Sequence, residues 1–309
     1  MRLLRHLDAR SAAAGGYVAT IGGFDGIHLG HRALIARTRE LARQQGLSSM
    51  VLSFEPLPKE FLAAQDPPAR LTNFRERWRV LENDGPEVFC VLRFDAALRA
   101  LGAAQFASLL VRGGVRQVVV GHDFRAGYRG EANAAWLQDK CPGLGLQVEV
   151  VEPVLGEGLR IGSGAIRAAL AAGDLALAAR LLGRPYSMRG RVVCGERLGR
   201  TLGFPTANLR LARRRTPLDG IFAVRVRGIE AGRALGGVAS LGTRPTVGGR
   251  VPLLETHVFD FNGELYGREL EVEFVARLRD ELRFDDLDAM VAQMQRDAAE
   301  AREALRSEN

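Results

Sequence analysis

Two histidines three residues apart, His28 and His31, close the stretch GGFDGIHLGH, which also holds Gly22, Gly23, Asp25, Gly26 and Gly30. Imidazoles donate hydrogen bonds to phosphate oxygens, and glycines let a backbone come close to a polyanion. Donors fixed where charge develops on a transferred phosphate lower its barrier. A metal site fits less well, because HxxH lacks the glutamate of HExxH and no third ligand follows nearby. Far downstream, Thr206 and Asn208 in FPTAN offer hard oxygen ligands suited to a Mg²⁺ that keeps waters and bridges phosphates. Pro-Thr-Ala-Asn is equally ordinary turn chemistry. No GxxxxGK[ST] phosphate loop occurs anywhere in the chain.

These residues need elements to hold them. YVATI before the histidine stretch has the β-branched, apolar character of a central strand. HRALIARTRELARQQG after it puts Leu34, Ile35, Thr38 and Leu41 on one helical face and stops at Gly46. The histidines therefore sit on a strand-to-helix turn, where unpaired amides and the helix dipole favour anions. The βα rhythm continues through SMVLSF, FRERWRVLEN, EVFCVLRF, AAQFASLLVRG, RQVVVG and LQVEVVEP, which implies a parallel sheet covered on both faces. Two Ala-rich helical runs, GAIRAALAAGD and LALAARLLG, follow. From Tyr186 the rhythm changes to YSMRGRVV, TANLRL, IFAVRVRG, LGGVASLG, LLETHVFDF and RELEVEFVARL, six strands that predict an antiparallel barrel. A last helix begins near Asp285 with an acidic first turn. The fold class is α/β, with expected domains of residues 1–184 and 185–309.

Composition sets outer bounds. With 309 residues, 47% hydrophobic and 26% charged, this is an ordinary globular protein long enough for two cores. A net charge of +7 comes from scattered arginines, with one short block at Arg213, Arg214 and Arg215. That diffuse field suits polyphosphate substrates and gives no reason to expect nucleic acid. Cys90, Cys141 and Cys194 form no CxxC, so neither a disulfide framework nor a zinc site is expected, and the compartment reads as cytoplasmic. No secretory h-region and no apolar run of membrane-spanning length is expected.

GGFDGIHLGH resembles the HxGH phosphate motif of the nucleotidyltransferase superfamily, in the form found in bacterial FAD synthetases. FEPLPKEF, RLTNFRERW, GHDFRAGYRG and RIGSGAIR follow in the family's order. The resemblance implies a Rossmann-like nucleotidyltransferase domain that makes FAD and pyrophosphate from FMN and ATP. It implies that His28 and His31 are catalytic contacts to ATP phosphates, with Gly22, Phe24, Gly30, Arg160 and Ser163 also binding ATP. Phe54, Pro56, Pro58, Asp123 and Phe124 are implied to hold the flavin. The chain departs from the family where ISSTRIR is usual: Gly162, Gly164 and Ala165 replace Ser, Thr and Arg, and Ala126 replaces a usual Phe. The expected consequence is a weakened adenylyltransferase, with the alternative of a kinase carrying an inactive N-terminal half.

GFPTAN, PLDGIFAV, GVASLGTRPTVG and LLETHVFDFNGELYGREL resemble, in order, the riboflavin kinase domain over nearly the whole second half. The resemblance implies a six-stranded Greek-key barrel that makes FMN and ADP from riboflavin and ATP. Thr206 and Asn208 are then the residues near Mg²⁺, and Glu255 is the general base on the flavin 5′-hydroxyl. Gly195, Gly199 and Arg200 in the preceding glycine-rich loop are implied to bind ATP. Taken together, the expected partners are riboflavin, FMN, FAD and ATP, with Mg²⁺ in both steps.

Overall fold

The computed structural model describes residues 1–8, 15–156, 159–195, 199, 202–246 and 249–307. Its contacts divide the chain into two compact units: Met1–Pro68 with Phe74–Gly162, and Ala69–Asn73 with Ser163–Asn309. Arg200 lies outside the described residues.

The first unit is a parallel sheet of β1 (Arg2–Leu4), β2 (Tyr17–Ile21), β3 (Ser48–Glu55), β4 (Val88–Arg93), β5 (Val115–Gly121) and β6 (Gln147–Val151). Their order across the sheet is β1-β4-β3-β2-β5-β6. All five residues of β2 are buried, because alternate side chains enter two different cores. Tyr17, Ala19 and Ile21 join Met50, Leu52 and Cys90 on the face covered by α3 (Ala103–Arg112) and α4 (Ala134–Lys140). On the opposite face Val18 packs with Leu41 and Ala42 of α1 (Leu29–Gln45), and Val51 and Phe89 pack with Leu81 of α2 (Phe74–Asp84). α1 ends where expected: Gly46 adopts φ 65° and its N–H reaches the carbonyls of Ala42 and Arg43. β1 is too short to carry a periodic signal and goes undetected in the sequence; it extends the sheet edge parallel to β4.

The second unit centres on a closed barrel of β7 (Ser187–Val193), β8 (Thr206–Arg210), β9 (Gly220–Glu230), β10 (Arg233–Thr246), β11 (Gly249–Val258) and β12 (Glu269–Arg279). Neighbours run β7-β8-β11-β10-β9-β12, every pair antiparallel, as the strand count predicts. The interior is built in cross-strand layers. Leu209, Leu254 and Leu241 stand in one row, and Ala207, Thr256 and Ala239 in the next. The helices α5 (Ser163–Ala171), α6 (Leu175–Leu182) and α7 (Leu287–Ser307) belong to this unit. Asp286 caps α7 by accepting from the Ala289 amide at 2.7 Å.

Residues 69–73 join the second unit through buried polar contacts. Tyr186 donates its hydroxyl to the Leu71 carbonyl at 3.0 Å. Arg213 donates to the carbonyls of Arg70 and Leu71 at 3.1 and 3.2 Å. Arg213, which in the sequence is one of a short basic block with Arg214 and Arg215, is therefore a buried structural residue.

Close strand approach in the barrel rests on Gly237, where a Cβ would stand 2.6 Å from the His257 carbonyl oxygen. That oxygen belongs to the strand backbone and cannot step aside. Gly237→Ala is expected to lower barrel stability by about 1–3 kcal/mol, read as a reduced denaturation midpoint.

Candidate active sites

In the first unit the strand order reverses beside β2. The chain winds from β2 through β3 to β4 on one side, while β5 and β6 lie on the other. In open α/β sheets the crevice at the carboxyl ends of such strands is the binding position. Gly22–His28 follows the end of β2, and His122–Phe124 follows the end of β5, so two predicted groups converge at this reversal.

The Gly22–His28 turn is held in an unusual backbone form. Phe24, Gly26 and Ile27 have φ of 48°, 87° and 43°. For the two non-glycine residues this costs about 1–3 kcal/mol each. The offset is visible: Phe24 and Ile27 are 1% and 0% exposed and pack with Ile35, Val51, Leu81 and Phe89, worth about 1.5–3 kcal/mol apiece. The apolar side chains thus anchor the turn from below.

His28 is the N-cap of α1, and its Nδ1 accepts the His31 amide proton at 3.3 Å. A ring nitrogen that accepts carries no proton, so in neutral His28 the proton resides on Nε2 and that atom is a donor. The His31 ring stacks on His28 at 3.7 Å and 18°, and Phe24 supports it from 4.8 Å. Gly30 must be small, since a Cβ there would meet the His28 ring at 3.2 Å and the Ile161 carbonyl at 3.4 Å. Gly22 is similarly confined by the Phe24 ring at 3.3 Å.

Asp123 forms an ion pair with Arg160. Burial raises the Asp123 carboxyl, but the Arg160 guanidinium outweighs that effect and holds it below its ordinary value. Phe124 packs against the sheet core, and Phe54, at the end of β3, is buried edge-on to Phe94 at 5.7 Å. Pro56 lies in the connection after β3, and Pro58 opens a short helical turn, Pro58–Leu62. Ser163 is the first residue of α5, so Gly162 precedes the helix where a capping side chain would otherwise sit. A Cβ on Gly162 or Gly164 would meet nothing within 4 Å, so neither glycine is required by packing.

In the second unit the barrel alternation decides which side chains face outward. Ala207, Leu209, Leu254 and Thr256 point in, so Thr206, Asn208, Glu255 and His257 point out. Glu255 stands directly opposite Asn208 on one neighbour and Ser240 on the other. His257 is likewise opposite Thr206 and Val238. These rows line a cleft of about 510 Å³, whose other wall carries Leu282, Phe284, Met290 and Met294. Gly195 passes so near Asn208 that a Cβ would fall 2.5 Å from its carboxamide nitrogen. At Gly199 a Cβ would fall 2.4 Å from the Phe204 carbonyl and 3.3 Å from the Thr206 hydroxyl. At these two positions glycine lets the backbone lie close to the two oxygen-bearing residues.

Several participants are not singled out in the sequence. His257 lines the cleft, and its Nδ1 is 2.9 Å from the Pro205 carbonyl. A carbonyl only accepts, so Nδ1 holds the proton there. The spacing Glu255-x-His257 on a strand is the signal that could have flagged it. Arg279 donates two hydrogen bonds to the buried Asp297 carboxylate, at 2.8 and 2.6 Å, tying β12 to α7 along the cleft. Arg77, fully buried beside the first-unit turn, is the third. Cys90 is buried and its thiol is pushed up to about 12 by desolvation, as suits an inert core residue. Among the described residues no group of three or more His, Cys, Asp or Glu side chains could hold a metal, and no helix is long and apolar enough to cross a membrane.

Comparison with known proteins covers both units. A family model described as FAD synthetase matches residues 10–165, and one described as riboflavin kinase matches residues 182–305. The bifunctional riboflavin kinase/FMN adenylyltransferase of Escherichia coli K12 is 44% identical, with 98% of this chain and 97% of that protein covered. The proteins of the same description from Haemophilus influenzae and Bacillus subtilis are 40% and 33% identical, covering 98% and 97% of this chain and 98% and 94% of their own lengths. A crystal structure from Streptococcus pneumoniae, described as a macrolide-efflux protein, superposes with a TM-score of 0.79 at 30% identity. It covers 96% of this chain and 97% of its own.

The two histidines that face opposite partners carry opposite tautomers. Nitrogen-15 NMR of the neutral rings is expected to show Nε2–H for His28 and Nδ1–H for His257. The same tautomer at both positions would contradict the described hydrogen bonds.

Proposed function

The chain belongs to the family of bifunctional riboflavin kinase/FMN adenylyltransferases, and from that premise we propose which of its residues carry each step. The enzyme phosphorylates riboflavin to FMN with ATP and adenylylates FMN to FAD with a second ATP, releasing pyrophosphate. Both family models match, so the bifunctional reading is favoured over a kinase with an inactive N-terminal half. The adenylyltransferase module is taken as residues 1–184 and the kinase module as 185–309; the two matched ranges support a functional division there.

In the kinase step Glu255 accepts the proton of the riboflavin 5′-hydroxyl as that oxygen attacks the γ-phosphorus of ATP, and ADP leaves. The observation that carries this assignment is the row Asn208–Glu255–Ser240 on the outer barrel face, lining the cleft. Thr206 and Asn208 offer neutral oxygens two residues apart on the same face, a donor set that fits Mg²⁺ retaining several waters. When bound, Mg²⁺ would neutralise charge on the ATP phosphates. Gly195 and Gly199 stand close beside those two side chains and are assigned to the nucleotide, a role the family resemblance extends to Arg200. The apolar wall of Leu282, Phe284, Met290 and Met294 suits the isoalloxazine ring.

In the adenylylation step an FMN phosphate oxygen attacks the α-phosphorus of ATP, and pyrophosphate departs. The His28 Nε2–H and the His31 ring donate to phosphate oxygens as charge builds on them. Gly22, Phe24, Gly30, Arg160 and Ser163 complete the ATP contacts, with Phe54, Pro56, Pro58, Asp123 and Phe124 toward the flavin. With Gly162 and Gly164 where the family pattern has Ser and Thr, the site has two fewer hydroxyl donors and hence a weaker hold on ATP; a side chain would fit at either position. A reducing cytoplasm is part of this reading, supported by three cysteines present as free thiols.

The two assignments separate cleanly in one assay. Glu255→Gln is expected to slow riboflavin phosphorylation by about 10²-fold or more while adenylylation of supplied FMN continues. His28→Ala with His31→Ala is expected to do the reverse, abolishing FAD while FMN accumulates from riboflavin. A simultaneous fall of both activities in either variant would overturn the two-site assignment.

A further inference from the structure

Arg77, the fourth residue of α2, is 0% exposed, yet it ends at polar groups of two segments the adenylyltransferase reading assigns to different substrates. Its Nη1 donates to the Gly23 carbonyl at 3.2 Å and to the Ser53 hydroxyl at 2.9 Å. Its Nη2 donates to the Glu55 carboxylate at 2.5 Å. Ser53 in turn donates its hydroxyl proton to the same Gly23 carbonyl, at 3.1 Å. Gly23 thus has two donors on one carbonyl, which is the full capacity of that oxygen.

The consequence for the turn follows from peptide geometry. In a trans peptide the carbonyl and the next N–H point in opposite directions. Holding the Gly23 carbonyl toward Arg77 and Ser53 therefore turns the Phe24 N–H away from them. Phe24 is also a left-handed residue, so the orientation of this peptide unit is part of what keeps the strained turn in place. Glu55, on the other side of the guanidinium, is the last residue of β3 and leads directly into Pro56 and Pro58. One buried cation thereby spans the phosphate turn and the flavin-side segment.

Packing alone does not ask for arginine here. α2 otherwise presents Trp78 and Leu81 to an apolar cluster with Phe24, Ile27 and Phe89. The Glu55 partner is only half-buried, with its side chain 34% exposed, so the carboxylate has water available and does not by itself require a guanidinium. We propose that Arg77 is a positioning residue for adenylyl transfer: it fixes the ATP-phosphate turn and the flavin segment relative to each other through Gly23, Ser53 and Glu55. This rests on the assignment of those two segments to ATP and FMN.

The test is a steady-state comparison of full-length wild type, Arg77→Met and Arg77→Lys, with FAD formation from FMN and ATP as the readout. In R77M the KM values for both ATP and FMN are expected to rise about tenfold, more than kcat falls. R77K keeps the charge beside Glu55 but offers one nitrogen in place of two, and should fall between. Riboflavin phosphorylation by the same preparations should keep its KM and kcat. A purely structural role would reduce the fraction of active enzyme, lowering apparent kcat at unchanged KM, and that result overturns the proposal. If R77M fails to fold, R77K decides: raised KM for both substrates supports the role, and wild-type values refute it. If the His28/His31 double variant still makes FAD, the assignment of the turn itself has failed; if only the Arg77 result is negative, this inference alone has.

Discussion

A strand that buries one face has no freedom over the other, and both sites depend on that constraint. In the barrel, the inward rows Leu209–Leu254–Leu241 and Ala207–Thr256–Ala239 fix the register of three strands. A shift of one residue would bury Asn208, Glu255 and Ser240 and expel the leucines. The polar rows on the outer face are therefore set by the apolar ones behind them. In the parallel sheet the same logic acts on both faces of β2, whose complete burial fixes where its carboxyl end and the following turn emerge.

Around that frame, each site is finished by a close backbone approach. At the first, the apolar side chains of Phe24 and Ile27 hold a left-handed turn, and His28 uses one ring nitrogen to cap α1 so that the other carries the proton. On the proposed role, the helix cap and the phosphate contact are one side chain. At the second, Gly195 lies against the Asn208 carboxamide and Gly199 against the Phe204 carbonyl beside Thr206, each closer than a Cβ would allow. The catalysis proposed for both steps is positional and electrostatic, as suits phosphoryl and nucleotidyl transfer.

Much of this was legible in the residues. β2, α1 and the Gly46 stop appear within a residue or two of where periodicity and capping put them, and all six barrel strands were separable by alternation and turn signals. HxGH and PTAN are ambiguous singly, PTAN being ordinary turn chemistry, and it is the order of several motifs along each half that resembles the two families and points to the two chemistries. What stayed hidden depends on contacts distant in sequence. Arg77 reads as one more charge on an amphipathic helix until the fold brings Gly23, Ser53 and Glu55 around it. Arg213 is one of three consecutive arginines in the sequence until the carbonyls of Arg70 and Leu71 meet it in the fold. Buried arginines carry no local periodic signature, so only the tertiary structure distinguishes them from solvated ones.

One chain performs two successive transfers, riboflavin to FMN and FMN to FAD, and the proposed loss of two hydroxyl donors at Gly162 and Gly164 makes the second the slower. The most direct test follows purified full-length protein supplied with riboflavin, excess ATP and Mg²⁺, with FMN and FAD separated by chromatography over time. FMN is expected to rise first and accumulate, FAD to follow, and each FAD formed to be matched by one pyrophosphate. FMN that persists with no FAD at any time would contradict this.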